Sequence, residues 1–156
     1  MNNRHTHRSR ERGFSLIELL IVIAIIGILV GIVVPTLRRG TLRANEAAAI
    51  GVLKRLKESQ VDYALGHRGE YATFDQLIKD GYLDERYAGD EPLVSGYIFR
   101  LKVTPKAGNQ PATYSVNADP QEAGATGSRY FYIDSRVNAT RENSQQPATA
   151  TDPPVE

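Results

Sequence analysis

The sequence predicts an α+β fold: a long N-terminal α-helix, transmembrane in its first half and amphipathic in its second, packed on a small antiparallel β-sheet head. Three observations predict it. Residues 14–37 (FSLIELLIVIAIIGILVGIVVPTL) are almost wholly apolar. Residues 41–65 are rich in strong helix formers, with apolar side chains at spacings of three and four. Three β-rich stretches then fall between residues 96 and 134, with proline and glycine between them.

The first element is the apolar run. Leu19 to Val34 carries no charge, and Phe14 to Leu37 carries one, Glu18. As a helix rising about 1.5 Å per residue, the longer stretch covers roughly 36 Å, enough for the hydrocarbon core of a bilayer. Residues 1–13 form a basic leader in which Arg4, Arg8, Arg10 and Arg12 stand against Glu11. That excess of arginine places the N-terminus in the cytoplasm. Arg38, Arg39 and Arg43 on the far flank oppose this rule, and snorkelling to headgroups or an acidic partner would account for them.

The run is too long for a secretory signal, and no small-x-small cleavage site follows it. A plain single-pass anchor explains its length but not Glu18. An ionised carboxylate in a bilayer costs on the order of 3 kcal/mol, so it requires a partner or a task.

The order Arg12-Gly13-Phe14-Ser15-Leu16-Ile17-Glu18-Leu19-Leu20 closely resembles the N-terminal signature of type IV pilins and of the pseudopilins of type II secretion. The resemblance covers residues 8–37. It implies cleavage between Gly13 and Phe14 by a membrane prepilin peptidase, which also methylates the new N-terminal Phe14. Glu18 is then the fifth residue of the mature chain, and the resemblance makes it an assembly residue that pairs with the N-terminal amine of an adjacent subunit. Glycine before the cut leaves a protease groove unobstructed. Gly27 and Pro35 stand where family members often carry helix-weakening residues. Gly27-x-x-x-Gly31 is also a small-residue packing face, and Pro35 lacks the N–H that would bond residue 31. Together they mark a segment that packs closely and can melt during assembly.

Beyond Pro35 the helix is expected to continue to about Leu65, with Ala49, Val52, Leu53, Leu56, Gln60 and Tyr63 on its apolar face. The face is too short to favour a coiled-coil seam. Gly66 and Gly69 supply the stop. Thr73 caps a short helix, with Gln76 three residues on, that ends at Gly81. Residues 96–103, 112–118 and 129–134 read as strands of an antiparallel meander laid on the helix. Residues 138–156 hold three prolines and few apolar side chains, and read as a disordered tail. The expected division is therefore leader 1–13, transmembrane and filament-core helix 14–37, amphipathic helix 38–67, head 68–137 and tail 138–156. Asn138-Ala139-Thr140 fits a glycosylation sequon, a triplet frequent by chance.

Composition limits the chemistry. The 156 residues include no cysteine, which removes disulfides and thiolate metal sites. Formal charge is +1, and without the leader fifteen basic residues face seventeen acidic ones. Nucleic acid is thus not an expected partner. His67 is the only histidine past the leader, and no nucleophile has a base nearby in sequence, so no enzyme is expected. No cofactor is expected. Asp84, Glu85, Asp90, Glu91, Asp119, Glu122 and Asp134 could offer oxygens to Ca2+, as the resemblance to major pseudopilins suggests, but their spacing matches no calcium loop. Tyr71, Tyr82, Tyr87, Tyr97, Tyr130 and Tyr132 read as core residues of the head.

The resemblance implies identical or related pilin subunits as partners, together with the prepilin peptidase and methyltransferase and an inner-membrane assembly platform. The lipid bilayer holds the chain before assembly. Localisation follows: an inner-membrane precursor, then a periplasmic or cell-surface filament. Lack of cysteine removes the disulfide-bounded loop common in major pilins, which favours a pseudopilin-like subunit or a short-lineage pilin.

Overall fold

The structure is a computed structural model that describes residues 13–136 and 139–155. Most of the leader and Asn138 of the sequon lie outside the described residues. Helix α1 is Leu16–Gly66, and the boundary between two compact units falls between Leu37 and Arg38.

In the first unit every described side chain of α1 is exposed, including Ile17, Leu19, Leu20, Ile23, Ile28 and Ile32. The eighteen-residue window there has a mean hydropathy of 3.2 and none of it is buried. An uncovered helix of this composition is long and apolar enough to cross a membrane.

In the second unit α1 turns one stripe inward. Glu46, Ala49, Leu53, Leu56, Gln60 and Tyr63 recur at three and four residues and all are buried. Gln60 has no exposed surface. Its amide nitrogen donates to the Ala72 carbonyl at 2.6 Å and its oxygen accepts from Ala72 N–H at 3.0 Å. A buried amide satisfied on both sides fixes the chain as it leaves the helix. Past Gly66, His67 stacks on Tyr63 with ring centroids 3.8 Å apart, and Gly69 in left-handed backbone donates to the Ala64 carbonyl. Helix α2, Phe74–Lys79, carries the capping box expected of Thr73 and Gln76. A short 3-10 turn, Glu85–Tyr87, follows.

The sheet has five strands in sequential antiparallel order: β1 Leu93–Val94, β2 Tyr97–Thr104, β3 Thr113–Pro120, β4 Tyr130–Asp134 and β5 Arg141–Asn143. Phe99 pairs with Ala118, which pairs with Phe131, and Val116 pairs with Ile133. These residues point inward at period two and pack with α1's stripe in one core. The α+β architecture is the one the sequence predicts, with two strands more than the three expected. β1 and β2 meet at Ser95-Gly96, both at positive φ, the geometry of a tight two-residue hairpin.

The tail corrects an expectation. Residues 139–155 were expected to be disordered, yet Arg141–Asn143 adds β5 to the edge of β4. Pro153 and Val155 fold back on β5, with Glu142 N–H donating to Pro153 O and Val155 N–H to Thr140 O, both at 2.9 Å. Asp152 accepts from Thr149 and Asn143, and Asn117 donates to the carbonyl of buried Ala148. Polar hydrogen bonds and one alanine order this segment, which an apolar pattern does not reveal.

Candidate functional site

Gly13, Phe14 and Ser15 precede the helix in irregular backbone, and Phe14 is 79% exposed. Ser15 stands at the N-cap position, with Leu19 N–H donating to its carbonyl at 3.2 Å. Glu18 lies in the first turn, and its Oε2 accepts the Ser15 N–H at 2.9 Å. This is half of a capping box, with the acid three residues in reaching back to the cap's N–H. It also sets a negative charge where the helix dipole favours one. The carboxylate is thereby held on the Phe14–Ser15 peptide. An ionised carboxylate offers about four acceptor sites, so capacity remains for a further donor.

A Cβ added at Gly13, Gly27 or Gly31 would meet nothing within 4 Å. The lone chain therefore has no packing need for glycine at these positions. The helix is continuous through position 35, so no break marks Pro35 in the free subunit. Thr36 Oγ1 donates to the Ile32 carbonyl at 3.0 Å, sharing an acceptor of the helix ladder in this stretch.

The head contains a second polar cluster that the sequence did not single out. Glu46 Oε1 accepts from Ser128 N–H at 3.0 Å and from Ser128 Oγ at 2.7 Å, while Oε2 accepts from Arg129 Nε at 2.9 Å. Arg129 also donates to Glu142 of β5 at 2.5 Å. Burial alone raises the pKa of Glu46, but the Ser128 and Arg129 donors outweigh it and hold the carboxyl below its ordinary value. Tyr97 donates to the Arg129 carbonyl at 2.8 Å and passes so close to Gly127 that a Cβ there would lie 2.1 Å from its hydroxyl. One helix, two strands and a turn are thus joined through Arg129 and the buried Glu46 carboxylate. Glu46 stands three residues before Ala49 in the apolar stripe, which is the one signal that could have found it.

Four of the seven acidic residues considered for Ca2+ are engaged locally. Asp84 pairs with Arg55 and Arg86, and Arg100 bridges Glu91 and Asp119. Asp134 accepts from Tyr132 Oη and from Arg136 N–H. Among the described residues, no group of three or more His, Cys, Asp or Glu is gathered as a metal site. His67 Nε2 lies 3.9 Å from Asp80 on the surface.

Residues 8–34 match the prokaryotic N-terminal methylation motif. The type II secretion system core protein G of Aeromonas hydrophila is 33% identical over 101 residues, which are 63% of this chain and 69% of that protein. The type IV major pilin PilA of Myxococcus xanthus is 39% identical over 77 residues, 49% of this chain and 34% of the pilin. A fimbrial protein of Neisseria meningitidis serogroup A is 43% identical over 63 residues, 40% of this chain and 36% of that protein. The chain therefore spans most of the secretion protein but about a third of either pilin. No solved structure matches it. The methylation motif, the uncovered apolar helix behind it, the helix-on-sheet head and the extended likeness to core protein G agree: the chain belongs to the type IV pilin and type II secretion pseudopilin family of structural subunits.

Proposed function

We propose that this chain is a structural subunit of a type IV pilus-like filament. It is made as an inner-membrane precursor with a cytoplasmic N-terminus, cut between Gly13 and Phe14 by a prepilin peptidase, methylated on Phe14 and polymerised through its N-terminal helix by an inner-membrane platform. The observation that carries this is Glu18, the single charge of residues 14–37, its carboxylate held on the Ser15 N–H at the start of an uncovered apolar helix.

Cleavage turns the Phe14 nitrogen into an amine four residues before Glu18. In lipid, a carboxylate and an amine each lack a counter-charge unless they meet. An adjacent subunit whose helix is in register supplies the pair and removes both penalties, so the charge selects a docked geometry. Gly27 and Gly31 then allow close approach of helices, and Pro35 lowers the cost of local melting as the core forms.

Electron microscopy of Glu18→Ala tests the pairing. The variant is expected to be processed normally and to form few or no filaments. Filaments as long and as numerous as wild type would refute the pairing role.

A second reading, a pseudopilin of a type II secretion system, is favoured by one observation. The likeness to core protein G extends over 101 residues and so into the head, whereas the pilin matches given above stop at 63 and 77. The two readings share the processing and assembly steps. They differ in outcome: a secretion pseudopilin supports export of a folded substrate, and its deletion stops that export without removing surface pili.

A further inference from the structure

Three arginines follow the apolar run and have no counterpart in the assembly mechanism. Arg38, Arg39 and Arg43 are all exposed, and among the described residues none makes an ion pair or a side-chain hydrogen bond. Arg55, Arg86, Arg100 and Arg129 of the head each reach a carboxylate. Between Glu18 and Glu46 the sequence has no acid, so nothing local on the helix neutralises the three. Arg39 and Arg43 are one turn apart, and with Arg38 they span an arc of about 140° of the helix surface. Gly40 and Thr41 between them are exposed and small, leaving the guanidinium groups unobstructed. Arg38 to Arg43 climbs roughly 7.5 Å, close to the depth of one headgroup layer, and begins at the residue after the apolar run ends.

We propose that Arg38, Arg39 and Arg43 bind the phosphate groups of anionic phospholipids in the outer leaflet of the inner membrane. A guanidinium presents a fork that matches two phosphate oxygens, and three of them at headgroup depth select anionic over zwitterionic lipid. The arginines run against the positive-inside tendency, and a lipid counter-ion offsets that. Bound lipid would hold the subunit upright at the surface from which it is later extracted. The proposal rests on reading residues 14–37 as membrane-spanning.

The test uses the full mature chain from Phe14, reconstituted in vesicles of phosphatidylcholine alone or of phosphatidylcholine with phosphatidylglycerol. Flotation first reports insertion, and native mass spectrometry then counts retained lipid. The chain is expected to float with both vesicles and to retain phosphatidylglycerol over phosphatidylcholine on the order of tenfold. Arg38→Gln/Arg39→Gln/Arg43→Gln is expected to float equally and lose that preference, since all three side chains are exposed. Inorganic phosphate at millimolar concentration is expected to leave the preference intact. Equal retention of the two lipids, or a preference that survives the triple substitution, overturns the proposal. So does displacement by inorganic phosphate, which marks a free-anion site. Loss of chain dimers in the triple variant with no change in lipid assigns the arginines to a second copy and also overturns it. Failure to float with either vesicle rejects the membrane-spanning reading itself.

Discussion

Glu18 and Glu46 lie on one helix and face opposite situations. Glu18 is exposed with a single backbone donor, and Glu46 is buried beneath Ser128 and Arg129. The first was legible in the sequence because an apolar run isolates it. The second was not, because its donors come from 82 and 83 residues away. Removing Arg129 leaves Glu46 buried with one charge partner gone. Breaking a fully buried pair costs about 3–5 kcal/mol; Arg129 is 36% exposed, so Arg129→Met is expected to cost about 2 kcal/mol in a thermal or urea melt of the full chain in detergent. The pH dependence has a definite sign. Because the folded pKa of Glu46 lies below its unfolded value of about 4.3, its stabilisation is present above that pH and lost as pH falls through the folded value. Glu46→Gln should therefore flatten the acid limb of a stability–pH curve; an unchanged limb would show that other carboxylates set it. Gly13 gives a third residue-scale expectation. A Cβ there meets nothing in the chain itself, so Gly13→Val should leave the head's melting unchanged while uncut precursor accumulates on an immunoblot. Normal processing of Gly13→Val would place the cut elsewhere.

Among the elements, α1, α2 and the three longer strands were legible because their patterns are local. The apolar stripe, the Thr73–Gln76 box and period-two alternation each lie within one segment. β1 and β5 were not, since strands of two and three residues carry little pattern of their own. β1 is held by the Ser95-Gly96 turn, where positive φ at both positions closes the hairpin. β5 is held from both sides, by β4 and by the returning 153–155 segment. A Pro-containing return on the edge also blunts the row of open backbone groups that edge strands present. Hydrogen exchange should therefore find the Glu142 and Val155 amides protected relative to Gln145, whose N–H is held only by the nearby Asn143 side chain. Equal and fast exchange at all three would return the tail to the disordered state expected from its composition.

At the scale of the whole molecule, two chemistries share one chain. One unit is an apolar helix whose described side chains are all exposed, and the other is a head with a buried core of its own. Under the proposed function, lipid covers this helix before assembly and neighbouring subunits cover it afterwards. A single hydrolysis, under that same proposal, converts one state to the other, removing the leader's four arginines and creating the amine that Glu18 would pair with. The most direct measurement of that claim is N-terminal mass spectrometry of the chain recovered from assembled filaments. The expected peptide begins at Phe14 and carries one methyl group on its amine. A chain that still begins at Met1, or one cut at any other bond, would contradict the account.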